Sequence, residues 1–221
     1  ALSRNVGLKN SNGELIAFLD SDDWWEKDKL KDVIKVFDLK TEIDLIYHNC
    51  YLASKNSLKS SNCRVLVKEY YRDLLVNGNT LITSSVVFKK EILNKVGFFC
   101  EDKNRIGWED YDLWLRIAKY GFNFHLIKNK LGFYWIGEDN FDNPERILIN
   151  LENIEHNVIA PYLKENNHEQ IWWIDYTRAV ANYKLKNKEL SYKFLKKVIF
   201  YKSPIIRKLK AIFYVLMLRF V

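Results

Sequence analysis

The sequence has few of the residues that define several specialised classes of protein. Its 221 residues include only 8 Gly and 3 Pro, too few for a collagen-like or low-complexity chain. The 3 Cys form no CxxC pair, which argues against a disulfide framework or structural zinc site and fits a reducing compartment. No uncharged apolar run reaches the roughly 18 residues of a membrane-spanning helix. At 48% hydrophobic and 29% charged residues, the chain is predicted to be globular.

The positive charge is concentrated at one end of the chain. Residues 184–221 contain eleven Lys and Arg residues and one acid, Glu189, a net charge of +10. Because the whole chain carries +7, residues 1–183 sum to −3. An acidic body followed by a basic tail is predicted, and the two parts are interpreted separately. The tail contains no recognisable DNA- or RNA-binding module, so we expect no nucleic-acid partner.

Hydrophobic periodicity predicts alternating strands and helices before the tail, the pattern of an α/β fold. The predicted strands are short apolar runs at 13–19, 43–47, 81–88, 122–127 and 131–136. The predicted helices begin after Asp23, at Lys89 and after Trp108. The inward face of the first helix is expected to carry Leu30, Val33, Ile34 and Phe37. The polar segment 52–64 is predicted to be an exposed loop.

A helical extension is predicted after the body, which gives domains at 1–143 and 144–221. Residues 171–202 are predicted to form a helical hairpin that ends at Ser203-Pro204. Segment 205–221 is apolar with flanking basic residues. Its predicted apolar face consists of Leu209, Ile212, Phe213, Leu216 and Phe220. The segment could pack on the protein or lie on an anionic membrane surface, and these interpretations are compatible.

Acidic residues follow the first predicted strand as Asp20-Ser21-Asp22. Ligands of open α/β sheets bind beyond the carboxyl ends of the strands, and two carboxylates spaced i, i+2 can converge on Mg²⁺ or Mn²⁺. The alternative is that these residues and Asp23 only cap the next helix. A strand ending in DxD is also similar to haloacid-dehalogenase-type phosphatases, but Trp24 stands where those carry Thr or Val.

Glu109 and Asp110 also allow two interpretations. Acids are favoured in the first turn of a helix, because the unpaired N–H groups and the helix dipole attract negative charge. The alternative is that the pair supplies a catalytic base. Tyr134 and Trp135 could border an acceptor or belong to the core.

Several motifs in a fixed order resemble a family 2 glycosyltransferase. They are Ser3-Arg4-Asn5-Val6-Gly7-Leu8, Asn12-Gly13-Glu14, the Phe18–Trp25 segment, Gly97-Phe98-Phe99, and Trp108 to Arg116 with Glu109-Asp110. The resemblance covers about residues 1 to 140. It implies a GT-A-like fold with a mixed, mostly parallel sheet, a nucleotide-diphosphate sugar donor, a divalent cation (Mn²⁺ or Mg²⁺) and inverting transfer.

The resemblance also implies roles for individual residues. Asp22 would bind the metal, and Asp20 would lie near the ribose or the metal's solvent shell. Arg4 and Asn5 would sit beside the nucleotide pocket. Asp110 would be the general base, and Glu109 would shape the acceptor site. Related enzymes commonly assemble bacterial surface glycans on glycan or lipid-linked acceptors, which implies a cytoplasmic protein, peripheral on the inner face of the membrane.

One part of the family pattern is absent from this sequence. The family normally begins with a βαβ unit that holds the nucleotide base, whereas this sequence starts two residues before Ser3. The expectation is an N-terminally incomplete domain, either a fragment of a longer protein or a truncated copy. The alternative function is therefore a non-catalytic remnant that binds a partner or a membrane.

Overall fold

The computed structural model describes residues 1–102, 107–137, 143–165, 171–200 and 203–218. The chain divides into two compact units. The first comprises Ala1–Leu74, Asn79–Asp102 and Ile106–Asn140, and the second comprises Leu75–Gly78, Lys103–Arg105 and Phe141–Val221. The division into domains at 143/144 stays a prediction.

The first unit has a mixed sheet with flanking helices, as predicted for an α/β fold. Its strands are β1 (Leu15–Ala17), β2 (Trp24–Trp25), β3 (Leu45–Ser54), β4 (Ser57–Ser61), β5 (Val87–Lys89) and β6 (Phe124–Trp135). Its helices are α1 (Leu2–Asn10), α2 (Lys29–Leu39), most of α3 (Tyr70–Asn77), α4 (Leu93–Val96) and α5 (Glu109–Lys119). The sheet order is β1-β5-β3-β6-β2, with β4 paired to β3.

The strand directions correct the expectation of a mostly parallel sheet. Among the described strands only β3 and β6 pair in parallel, while β1–β5, β3–β5, β2–β6 and β3–β4 are antiparallel. The predicted loop 52–64 contains the second strand of the β3–β4 hairpin. This strand escapes a hydrophobicity pattern because its residues, Ser-Leu-Lys-Ser-Ser, are almost all exposed.

Two predicted strands, 122–127 and 131–136, form the single strand β6. The polar residues between them resemble a turn in the sequence, but they are a β-bulge. The β3–β6 register shifts from His48↔Ile127 to Asn49↔Lys130, and Asn49 Nδ2 donates to the Lys128 carbonyl at 2.7 Å. The predicted strand 81–88 is also altered, because Thr83–Ser85 form a 3₁₀ turn before β5.

Two apolar clusters position the elements of the first unit. Val33, Phe37, Ile43, Ile46, Val87 and Leu131 form a core between α2 and the sheet. A second cluster is aromatic, with the Phe18 ring 5.3 to 6.3 Å from the rings of Phe88, Phe99 and Trp114. Because Phe18 follows β1 and Trp114 lies on α5, this cluster brings the acidic residues of the two segments to one region.

The helix α2 turns a different face inward from the one predicted. Val33 and Phe37 are buried as expected, whereas Leu30 and Ile34 are 45% and 47% exposed. Lys29 is fully buried in their place. Its Nζ donates to the Ser84 carbonyl at 2.8 Å and lies 3.7 Å from the centre of the Trp25 ring. Burial lowers the pKa of Lys29 to about 7.

The three cysteines are free thiols in unlike environments. Cys50 and Cys63 are buried, and burial raises their pKa values to about 12 and about 11. Cys100 is half-buried.

The second unit is helical, as predicted. It contains α6 (Pro144–Ile154), a π-helical turn at Glu155–Ile159, α7 (Ala160–Glu165), α8 (Trp172–Lys184), α9 (Lys188–Phe200) and α10 (Ile205–Met217). The α8–α9 hairpin is confirmed, and Ala179, Leu195, Val198 and Ala211 form a core shared by α8, α9 and α10. None of the helices in the described part of the chain has the length and apolar character needed to cross a membrane.

The buried Lys29 predicts an unusual pH dependence of stability. The pKa of Lys29 is 10.5 in the unfolded chain and about 7 in the folded chain. Between these pH values the unfolded state therefore binds a proton that the folded state does not bind. The free energy of unfolding should therefore decrease between about pH 10 and pH 7 through this group. Because Lys29→Met lacks this titratable group, its free energy of unfolding should decrease less than that of wild type between about pH 10 and pH 7.

Urea unfolding at several pH values between 7 and 10 measures this difference. Lys31→Met changes an exposed lysine of the same helix and is the control. Parallel pH profiles for wild type and Lys29→Met would contradict a lowered Lys29 pKa.

Candidate active site

The predicted acidic turn lies directly after β1, at the carboxyl end of that strand. The Asp23 N–H donates to the Asp20 carbonyl at 3.1 Å, and the Asp20 N–H donates to the Ser84 hydroxyl at 2.9 Å. Asp20 is half-buried and Asp22 is exposed. The Asp22 carboxylate is therefore open to a ligand, and the backbone of the turn is held against Ser84.

Asp23 does not cap the following helix, which corrects that interpretation. The helix α2 begins at Lys29 and its N-cap residue is Asp28. Asp23 therefore lies too far from the first turn of α2 to cap it. The buried Asp23 instead accepts a hydrogen bond from the Trp135 N–H at 2.8 Å on β6. Burial raises the pKa of Asp23.

Arg4 joins the acidic turn to the start of α5. Its Nη2 lies 2.5 Å from Asp20 Oδ1, and its Nη1 lies 3.0 Å from Glu109 Oε1. These three residues come from α1, the turn after β1, and α5. The structure thus brings three of the predicted site residues into one charge network.

Glu109 is held ionised by its surroundings. Burial alone would raise its pKa, but hydrogen bonds from its own backbone N–H and from Gly107, together with the charges of the Ala1 ammonium and of Arg4, keep that pKa below its usual value. The Gly107 N–H donates to Oε2 at 2.6 Å. Glu109 is therefore an anion locked between a loop and a guanidinium at neutral pH.

Asp110 lies in the first turn of α5 next to this network. Its Oδ2 accepts the Thr83 hydroxyl at 3.0 Å, and its Oδ1 accepts the Tyr111 N–H at 2.7 Å. Burial raises the pKa of Asp110 to about 6, although both hydrogen bonds oppose this shift. A carboxylate with this pKa is ionised at neutral pH and is a stronger base than an ordinary aspartate.

Asn5 has a structural role in the folded chain, and its expected place beside a nucleotide stays a prediction. The side chain is 2% exposed. Its Nδ2 donates to the Phe99 carbonyl at 2.9 Å and to Glu101 Oε1 at 2.8 Å, while Oδ1 accepts the Phe99 N–H. With its amide engaged in this way, Asn5 ties α1 to the segment after α4.

The structure adds two residues to the site that the motifs alone did not assign. Thr83 is hidden in a predicted strand, although the polar run Thr83-Ser84-Ser85 within an apolar segment is the signal of a turn. For Tyr134 the sequence allows either an acceptor contact or a core position. Burial raises its pKa, and the charges of Asp20, Asp22, Asp23 and Asp110 raise it further, so its hydroxyl lies in their field.

The acidic turn has the chemistry of a divalent-cation site. Within the described residues, no three His, Cys, Asp or Glu side chains form a metal-binding group by themselves. Asp20 and the exposed Asp22 supply hard oxygen ligands. This donor set fits Mg²⁺ or Mn²⁺, since such ions are commonly held by one or two carboxylates together with substrate phosphates and water.

The chain belongs to the glycosyltransferase-like family 2. The family's sequence description matches residues 1–197, most of the chain. The assignment confirms the resemblance found in the motifs. Family membership implies a GT-A-like fold. The mixed α/β sheet and the C-terminal helices of this chain agree with that fold class.

Two of the curated relatives are glycosyltransferases of Erwinia amylovora and Escherichia coli. The amylovoran biosynthesis glycosyltransferase AmsB of Erwinia amylovora is 29% identical over 60% of this chain and 45% of its own length. The Escherichia coli protein WfgD, named UDP-Glc:alpha-D-GlcNAc-diphosphoundecaprenol beta-1,3-glucosyltransferase, is 38% identical over 53% of this chain and 43% of its own length. The chain spans about half the length of these relatives.

Among solved structures, the chain is similar to Staphylococcus aureus TarS 1-349 in complex with UDP-GlcNAc. The TM-score is 0.45 at 16% sequence identity, and the match covers 89% of this chain and 60% of that one.

Proposed function

We propose that the protein transfers a sugar from a nucleotide-diphosphate donor to a hydroxyl of a glycan or lipid-linked acceptor, with inversion at the sugar. The observation that carries the proposal is the pair of ion pairs that Arg4 makes with Asp20 and Glu109. Arg4 thereby joins the candidate donor-binding turn to Glu109, the residue next to the candidate base Asp110. Family membership and the names of the relatives AmsB and WfgD support the same reaction. The lipid-linked acceptor is inferred from the name of WfgD.

The proposed reaction is a single displacement. Asp110 takes the proton of the acceptor hydroxyl while the oxygen forms a bond to the anomeric carbon. The bond between that carbon and the diphosphate breaks on the opposite face, and the nucleoside diphosphate leaves with the electron pair. A divalent cation held by Asp22, with Asp20 nearby, would supply positive charge to the departing diphosphate.

Each neighbouring side chain has a defined task in this proposal. Arg4 balances the charges of Asp20 and Glu109, so that the carboxylates can lie close together. Glu109 remains an anion beside the acceptor position and shapes it. Tyr134 offers a phenol, still protonated at neutral pH, to substrate hydroxyls near the carboxylates.

We also propose that α10 holds the enzyme at the inner face of the cytoplasmic membrane. One face of α10 packs inward through Ala211, Tyr214, Val215 and Leu218 against the α8–α9 core. The opposite face leaves apolar side chains exposed, at Ile205, Ile206, Leu209, Ile212, Phe213 and Leu216. The predicted member Phe220 lies outside the described residues.

The charge around this face suits an anionic surface. Residues 184–221 carry +10, and a basic residue near anionic lipid contributes about 1 kcal/mol. Packing on the protein and binding to a membrane are therefore compatible, because α10 can pack one face on the α8–α9 hairpin and present its apolar face outward.

The first experiment concerns the base. With UDP-glucose and a GlcNAc-diphospho-alkyl acceptor, or other nucleotide sugars if this pair is inactive, Asp110→Asn should reduce transfer by about 10²–10⁴-fold because the amide cannot accept the proton. Donor affinity should be nearly unchanged. The wild-type rate should fall as the pH drops below about 6, since the base must be ionised.

Asp112→Asn is the matched control, because Asp112 lies one position further along α5 from Tyr111 and pairs with Arg116. Wild-type transfer by Asp110→Asn together with loss in Glu109→Gln would show that the two roles are reversed. Full activity in both variants would remove the acid pair from the mechanism. A chain that transfers no sugar in the whole panel would support the non-catalytic alternative.

The second experiment concerns the metal. Asp22→Ala should remove most transfer activity and weaken Mn²⁺ binding measured by calorimetry, because an exposed carboxylate ligand is lost. Asp28→Ala is the control, since Asp28 is an exposed aspartate whose side chain makes no cap hydrogen bond. Undiminished turnover in excess chelator would contradict the metal role of Asp22.

The third experiment concerns the membrane. The chain should co-sediment with anionic vesicles at low salt and much less at high salt, because salt screens the attraction of the basic residues. The double variant Leu209→Glu/Phe213→Glu should lose this binding, whereas Leu39→Glu, at an exposed apolar position of the first unit, should retain it. Failure of the wild-type chain to bind anionic vesicles at low salt would refute the proposal.

A further inference from the structure

The turn Thr83–Ser85 contacts both parts of the proposed site. The Thr83 hydroxyl donates to Asp110 Oδ2 at 3.0 Å. The next residue, Ser84, accepts the Asp20 N–H on its hydroxyl oxygen at 2.9 Å. Two consecutive side chains of one short turn thus bind the candidate base and the backbone of the acidic turn.

The turn is itself held by several hydrogen bonds. The Ser84 carbonyl accepts hydrogen bonds from both Trp25 Nε1 at 2.9 Å and Lys29 Nζ at 2.8 Å. The Ser85 N–H donates to the Ile82 carbonyl at 2.8 Å, and the Ser85 hydroxyl donates to the same carbonyl at 2.6 Å. All three residues of the turn are buried. The Thr83 hydroxyl is therefore presented to Asp110 from a support with little freedom to move.

We propose that Thr83 is a positioning residue for the general base: its hydroxyl fixes the orientation of the Asp110 carboxylate and favours the ionised form. Its catalytic meaning rests on the proposed function, in which Asp110 takes the acceptor's proton. The hydrogen bond itself does not depend on that function, so the two can be tested separately.

The electrostatic surroundings of Asp110 define what the hydroxyl must do. Burial and the neighbouring Glu109 anion favour the protonated acid, while Arg4, the Tyr111 N–H and the Thr83 hydroxyl favour the carboxylate. The Tyr134 phenol also lies in the field of Asp110. Thr83 is the neutral side chain in this set that donates directly to the carboxylate, so its removal can be separated from a change of charge.

The experiment compares four chains by the carboxyl ¹³C titration of Asp110 and by the pH profile of the transfer rate. Thr83→Val keeps the shape of the side chain but removes the donor, and should raise the pKa of Asp110 by about 1 unit, since hydrogen bonds to charged groups are among the stronger ones. Thr83→Ser should restore the wild-type value. Ser85→Ala removes a hydroxyl of the same turn that bonds to backbone, and should leave the pKa unchanged.

The rate should follow the titration. In Thr83→Val the acid limb of the profile should move to higher pH by the same amount, and kcat above that limb should fall about 10-fold while the donor KM stays constant, because a freely rotating carboxylate is less well aligned. If Thr83→Val does not fold, Thr83→Ala removes the same hydroxyl without placing a methyl group against Asp110.

Two results would overturn the inference. One is an unchanged Asp110 pKa in the variants that lack the Thr83 hydroxyl. The other is an equal shift in Ser85→Ala, which would trace the effect to general loosening of the turn. A shifted Asp110 pKa with an unshifted rate profile would instead support Thr83 as the partner of Asp110 and refute Asp110 as the base.

Discussion

The double ion pair of Arg4 is the interaction on which the candidate site depends. One guanidinium binds Asp20 and Glu109, residues separated by almost ninety positions in the sequence. Carboxylates that lie close together repel one another, and a cation between them offsets that repulsion. Removal of such a cation leaves uncompensated charge in a partly buried place, which is far more costly than the loss of an exposed ion pair.

Apolar contacts and hydrogen bonds from uncharged groups also position the acidic residues of the site. The aromatic cluster around Phe18 and Trp114 brings the end of β1 close to α5, but apolar contacts set no precise orientation for a carboxylate. A directional hydrogen bond from the Thr83 hydroxyl orients the Asp110 carboxylate. The Ser84 hydroxyl accepts the Asp20 N–H and so holds the backbone of the acidic turn. The buried amino group of Lys29 also donates to the Ser84 carbonyl. The site is thus arranged by polar contacts inside an apolar frame.

The sequence predicted the parts of the fold that follow from local patterns. Leu113, Trp114 and Ile117 recur at helical spacing in the sequence and are buried on one face of α5, and Gly121 follows that helix with a positive φ. The acidic turn after β1 and the first-turn acids of α5 were located correctly because ordered family motifs carry them. The roles of Asp22 and Asp110 stay predictions.

The remaining features depend on contacts between distant segments, which no local pattern records. Lys29 occupies an inward position because Ser84 and Trp25 happen to face it in the folded chain. The continuity of β6 through a polar bulge depends on Asn49 of the neighbouring strand. Asn5 belongs to a family motif, and its buried amide bonds to Phe99 and Glu101, a contact that no local pattern records.

The different environments of the three cysteines determine which of them thiol-reactive labels can modify. Thiolates, not thiols, attack maleimides and iodoacetamides, and the raised pKa values of Cys50 and Cys63 keep both of these buried groups protonated and unreactive at neutral pH. Cys100, which is half-buried, lies between Phe99 and Glu101, the two residues to which the Asn5 amide is bonded. A fluorophore attached there would need no engineered cysteine, and its emission would report directly on whether α1 stays docked.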